Sequence, residues 1–178
     1  MRYVSVLLSL LLWMSFHPKD AAAQSRWRAV MVDVGWAGGP QGHSKSLGLD
    51  AEVGISERMR AVARWSHRSR VGILVDAENP TDSNVLEIGP GLKLSAGSRA
   101  VSYVNLLLGV HWEKDWWSSN WTAHPSGSIS LGVDLRLIPP LTLRLAIRHQ
   151  EVPGSAVPRK GRSNARNTGV LAGLGFSW

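Results

Sequence analysis

The chain has 178 residues, nine tryptophans, no cysteine and a formal net charge of +7 from 20 basic and 13 acidic residues. The length suggests one domain. The missing cysteines exclude a disulfide framework.

The first residues are Arg2, an apolar run from Val4 to Phe16, and then Ala21, Ala22 and Ala23. A positive start, a short apolar run and small residues for cleavage predict a secretory signal peptide over 1–23, with the mature domain at 24–178. The run is shorter than the roughly 20 apolar residues of a spanning helix. Export turns the basic excess away from nucleic acid and toward an anionic membrane surface.

From Arg26 onward, apolar side chains recur at every second position, the period of a strand. The first strand is predicted over Arg26–Trp36, with Val30, Val32, Val34 and Trp36 on one face. A Gly/Pro/Ser loop is expected over Ala37–Ser46. The second strand, Leu47–Ile55, sets Leu47, Leu49, Ala51 and Val53 against Gly48, Asp50, Glu52 and Gly54. After a short turn, the third covers Arg60–His67, and Arg68–Ser83 is read as a long polar loop. The fourth, Asn84–Leu94, contains Pro90, which cannot donate to a ladder and predicts a bulge or local break. The fifth, Ala100–Trp112, and the sixth, Ser126–Leu137, flank a tryptophan-rich loop at Glu113–Pro125. Ile138, Pro139 and Pro140 turn the chain into the seventh strand, Leu141–Gln150. A long basic loop, Glu151–Asn167, leads to the eighth, Thr168–Trp178, whose apolar face carries Val170, Ala172, Leu174, Phe176 and Trp178.

Eight strands of about 9–11 residues, with short turns and long loops alternating, fit an antiparallel transmembrane β-barrel. Alternation alone does not say which face meets solvent. The export signal and loop asymmetry favour apolar side chains outward and a polar lumen. The inverse reading is a soluble barrel around an apolar ligand. An eight-stranded barrel is just wide enough for its side chains to fill it, and buried charges must pair. Asp50, Glu52, Glu87 and Asp134 are therefore expected to meet Arg64, Arg136, Arg144 and Arg148 in a hydrated plug. An aromatic girdle is expected from Trp36, Trp65, Trp112, Trp116, Trp117, Phe176 and Trp178.

The signal peptide, the eight-strand layout, the loop asymmetry and the ending Gly173-Leu174-Gly175-Phe176-Ser177-Trp178 resemble the small outer-membrane β-barrel superfamily, the OmpA-transmembrane-domain, OmpX-like and opacity-like group. The resemblance implies a bacterial outer-membrane location, contact with lipid and lipopolysaccharide, and delivery of the C-terminal strand to the barrel-assembly machinery. It implies a monomer with a structural or surface-interaction role, without catalysis, cofactor or metal. The basic cluster Arg159, Lys160, Arg162 and Arg166 is expected to face lipopolysaccharide phosphates.

Two alternatives stay open. Ser163-Asn164-Ala165 resembles the stretch after the catalytic histidine of lipid A deacylase barrels, although Gly161 stands where that histidine would be. A hydrolase would then draw on His149, Glu151 and Ser163. The other alternative is a periplasmic, lipocalin-like carrier. His43, His67, His111, His124 and His149 lack the tight spacing of a metal site.

Overall fold

A computed structural model describes residues 28–39, 42–71, 81–96, 99–114, 120–153 and 164–177. The strands are β1 (Arg28–Gly39), β2 (Gly42–Gly54), β3 (Met59–Val71), β4 (Thr81–Ala96), β5 (Ala100–Lys114), β6 (Trp121–Ile138), β7 (Leu141–Pro153) and β8 (Asn164–Ser177). Each pairs antiparallel with its neighbour in sequence, and β8 returns to β1 to close the barrel. One end carries both ends of the described chain and the connections after β2, β4 and β6; we call it the terminal end, and its opposite the loop end.

The expected inside-out pattern holds. Val32, Leu49, Ile88, Leu108, Leu131, Ile147 and Leu174 are exposed on the outer wall, whereas Asp33, Asp50, Glu52, Arg60, Arg64 and Arg144 are buried inside. A soluble barrel would show the reverse. The hydrophobic interior is reduced to scattered side chains such as Met31, Val62, Tyr103 and Leu107.

Several expected boundaries change. The loop expected at 37–46 is largely strand: β1 runs to Gly39 and β2 starts at Gly42, with Ser46 opposite Gly35 and His43 opposite Gly38. The loops expected at 68–83, 113–125 and 151–167 are likewise shortened, because β3, β4, β5, β6, β7 and β8 all extend further at the loop end. The strict alternation of long and short connections is lost, since only two residues separate β1 from β2. Beyond an apolar band both faces of a strand are polar, so the period-two signal fades while the backbone ladder continues.

Pro90 makes a local break and not a bulge, because the β4–β5 ladder has no pairs at Gly89 and Pro90. It pairs with Ala61 of β3, and β4 meets β5 in the same register on either side of it, Ile88 with Leu108 and Gly91 with Asn105. The β4–β5 irregularity falls later, between Lys93 and Ser95. A second lies between Arg136 and Ile138, just before Pro139–Pro140 turns the chain into β7.

The seam between β1 and β8 is built from residues of complementary size on its inner face. Gly169, Gly173 and Gly175 oppose Ala37, Asp33 and Met31, whereas Leu171 opposes Gly35.

Candidate functional site

The lumen is occupied by guanidinium groups and carboxylates contributed from facing walls. Nearest the terminal end, Arg60 of β3 reaches Glu52 (2.7 Å) and Asp134 (3.2 Å), and donates to Asn105 Oδ1 (3.1 and 3.3 Å). Arg144, opposite Asp134 in the β6–β7 ladder, donates to both its oxygens at 2.7 and 2.8 Å. The same guanidinium meets Glu52 (2.6 Å) and Asp50 (3.1 Å). Arg64 donates to Asp50 and lies 3.6 Å from Asp33. The Tyr103 ring lies beside two of these cations, 4.1 Å from the Arg60 guanidinium carbon and 4.7 Å from that of Arg144. Such stacking suits a weakly hydrated, planar cation.

A second cluster lies closer to the loop end. Arg148 donates to Glu87, which also accepts from Ser126 (3.1 Å), Ser128 (2.7 Å) and Gln150 (2.9 Å). Above it, Arg68, Arg148, Gln150, Asn167 and Ser46 line a cavity of about 20 Å³, room for about one water molecule. At the mouth, Glu113 faces His124 (3.3 Å) and His111 (3.8 Å).

Of the residues expected in the plug, Asp50, Glu52, Arg64, Glu87, Asp134, Arg144 and Arg148 are buried in these two clusters. Arg136 is not: it is exposed at the terminal end, where the irregularity between Arg136 and Ile138 ends the regular pairing of β6 with β7. The pairing expected from the sequence does not include Arg60 and Asp33, although both stand on the charged face. The signal was available, because Arg60 is in phase with Arg64, and Asp33 shares its face with Met31.

The outer wall changes character toward the loop end. Above Val34, Trp36, Ile147 and Val170, polar side chains take over. His149 Nδ1 lies 2.8 Å from Thr168 Oγ1, and His149 Nε2 lies 3.6 Å from Glu151 Oε1. Glu151 Oε1 also lies 3.0 Å from Arg166 Nε. These four side chains lie on the outer wall, away from the lumen, so His149 and Glu151 come together as a cross-strand cluster with Thr168. Ser163, the third member of the hydrolase reading, lies outside the described residues, as do Arg159, Lys160, Arg162, Trp116, Trp117, Trp178 and the segment 1–23. Trp36 faces outward near the loop end, stacked on His43 with ring centroids 4.9 Å apart. Trp65 and Phe176 are exposed on the same wall, Phe176 near the terminal end, and Trp112 is half-buried opposite Ala123. Among the described residues, no cluster of His, Asp or Glu has the arrangement of a metal site.

No protein family's sequence model matches the chain, and no curated protein matches it. Solved structures do. Neisserial surface protein A superposes with a TM-score of 0.65 at 12% identity, over 84% of this chain and 95% of that one. The N-terminal β-barrel domain of Pseudomonas aeruginosa OprF gives 0.57 at 9% identity, over 86% and 98%. Ail, the attachment invasion locus protein of Yersinia pestis, gives 0.53 at 8% identity, over 86% and 99%. At such identities the likeness is one of architecture: the chain has the eight-stranded fold of the small outer-membrane β-barrels.

Proposed function

We propose that the protein is a monomeric bacterial outer-membrane β-barrel, non-catalytic and non-conducting, with a structural and surface-interaction role. The observation that carries this reading is the pairing of a polar, ion-paired lumen with an apolar outer wall. In water that wall would be costly, whereas in a bilayer it is the anchoring surface. Residues 1–23 direct export, the terminal end faces the periplasm and the loop end faces outward. The C-terminal strand is the part offered to the barrel-assembly machinery. Support for a surface role comes from the neighbours, one named a surface protein and another an attachment invasion locus protein. Arg159, Lys160 and Arg162, with Arg166 near the start of β8, meet lipopolysaccharide phosphates.

The lumen is closed because its cations and anions are paired across the bore. Opening it means separating fully buried charges, each of which costs several kcal/mol when left uncompensated. Three measurements test the reading. The protein should fractionate with the outer membrane and migrate differently on gels before and after boiling. Purified protein in a planar bilayer should show no steady conductance. Expression should leave the acyl pattern of lipid A unchanged. A soluble protein without a gel shift would refute the membrane assignment; stable channels would refute the closed lumen; deacylated lipid A would refute the absence of catalysis and bring His149 and Glu151 back as candidates.

A further inference from the structure

Four successive strands contribute one lateral row to the outer wall at the loop end: His149 of β7, Thr168 of β8, Gly38 of β1 and His43 of β2. By strand parity all four positions point away from the lumen. The third has no side chain. Neighbouring Cβ positions in such a row are about 5 Å apart, so Thr168 and His43 flank a gap about 10 Å wide, floored by backbone. The His43 ring borders the gap on one side, since a Cβ built on Gly38 would lie 3.4 Å from its Nδ1 and 3.7 Å from its Cε1, and no other described atom outside the neighbouring residues comes within 4 Å.

The groups around the gap are held in place. His149 Nδ1 lies 2.8 Å from the Thr168 hydroxyl, and Trp36 stacks on His43 with an interplanar angle of 10°. Arg166, two positions beyond Thr168 on the same face, sits diagonally across from Gly38, with its Nε 3.0 Å from Glu151. Lys45 is opposite Trp36 on the other side. Below the gap lie the exposed apolar side chains Val34, Trp36 and Val170. The notch therefore sits where an apolar wall gives way to donors. The outward strand positions around it carry Arg166, Lys45, His149, His43 and Thr168, against the carboxylate of Glu151 among the described residues.

We infer that this notch at the β1–β8 seam binds a lipid headgroup phosphate, specifically the phosphomonoester of an outer-leaflet glycolipid of the lipid A type. A phosphomonoester brings up to two negative charges and three acceptor oxygens, which matches Arg166 and Lys45 as cations and Thr168 and the imidazoles as hydrogen-bonding groups. The position matches as well, because the phosphate stays at the polar boundary while the acyl chains lie along Val34, Trp36 and Val170. The inference rests on the outer-membrane reading above and adds to it a site on the described barrel wall.

The test is native mass spectrometry of the full-length protein released from maltoside micelles, with purified lipid A, enzymatically dephosphorylated lipid A and inorganic phosphate as separate probes. Lipid A should be retained at least tenfold better than its dephosphorylated form. Arg166→Gln removes a charge-assisted contact and should weaken retention about tenfold. Gly38→Val removes no donor and fills the gap with a residue that suits a strand, and it should weaken retention to a similar extent. Gly38→Ala, the smaller filling, should act in the same direction, and Arg28→Gln at the terminal end should change nothing. The boiled-against-unboiled gel shift, run on every variant, separates loss of the barrel from loss of the site. Equal retention of both lipid forms, or retention indifferent to Arg166→Gln and Gly38→Val in folded protein, would overturn the inference. Inorganic phosphate binding as tightly as lipid A would also overturn it, by assigning the notch to a free anion. A parent protein without a gel shift would instead refute the membrane reading beneath it.

Discussion

Replacing Arg144 by methionine keeps most of the side chain's length and removes one charge from the centre of the lumen. Arg144 is fully buried and touches Asp134, Glu52 and Asp50 at 2.6–3.1 Å. Without it, four buried carboxylates, Asp33, Asp50, Glu52 and Asp134, are left with Arg60 and Arg64. Removing one partner from a buried ion pair costs about 3–5 kcal/mol, because the other charge stays in a poor solvent. Arg144→Met should fall in that range, read from the urea midpoint of the micelle-embedded barrel at unchanged slope. The double variant Asp134→Asn/Arg144→Met removes the carboxylate directly opposite and should recover about 2 kcal/mol, the size of coupling expected for residues in direct contact. Arg136→Met, exposed at the terminal end, should stay within about 0.5 kcal/mol of the parent. If Arg144→Met lies within about 1 kcal/mol of the parent and the double variant adds nothing, the lumen is solvated well enough to screen its charges. The closed-plug argument then fails.

Three further outcomes follow from other parts of the barrel. Glu87→Gln leaves Arg148 buried beside a neutral amide and should cost about 3 kcal/mol in the same unfolding assay; a neutral result would mean that water replaces the carboxylate. Gly109→Ala should cost about 1–3 kcal/mol, because its Cβ would fall 1.8 Å from the Leu86 carbonyl oxygen and 2.6 Å from Glu87 Cα, so backbone must move. Gly127→Ala, whose nearest neighbour would be Leu108 Cδ2 at 3.4 Å, is the matched control and should be nearly neutral. Leu131→Arg places a cation on the exposed apolar wall, where Leu131 is 55% accessible. In a bilayer it should lower stability by about 2–4 kcal/mol, whereas a near-zero change in lipid would mean that this wall faces water.

The barrel was legible because its middle section obeys two conditions at once: one face must be apolar and the other must not. That constraint marks Leu47–Val53, Ile129–Leu137 and Val170–Phe176 without ambiguity. It lapses toward the loop end, where Gly38, His43, Ser44, Lys45 and Ser46 read as loop yet pair as strand. Polar residues on both faces carry no periodic signal, and only the ladder reveals them. The lumen partners were legible by parity down to single residues, with Arg136 as the exception. Arg136 keeps the charged-face parity, paired with the buried Thr142, but it stands at the terminal rim of the barrel and is exposed there. Pro90 was legible as a local break: its missing donor argued for a bulge or a break, the β4–β5 ladder lacks pairs at Gly89 and Pro90 while keeping its register, and the register shift comes between Lys93 and Ser95. The row across the seam was not legible at all, because it joins residues from four strands at the two extremes of the chain.

The alternation of large and small residues along that seam bears on how the barrel closes. From Gly169 to Gly175, β8 brings no charge to its inner face, so joining it to β1 does not wait for an ion pair to form. What it brings is shape. A Cβ on Gly35 would lie 2.5 Å from Leu171 Cδ2, and one on Gly169 would lie 2.6 Å from Ala37 Cβ. Sliding β8 by two residues in either direction would set Leu171 against Asp33 or Ala37, where no vacancy exists, and sliding it by one would turn every side chain to the wrong face. The seam is thus sorted by size: it fits in the alignment that sets Leu171 against Gly35 and the glycines of β8 against Ala37, Asp33 and Met31.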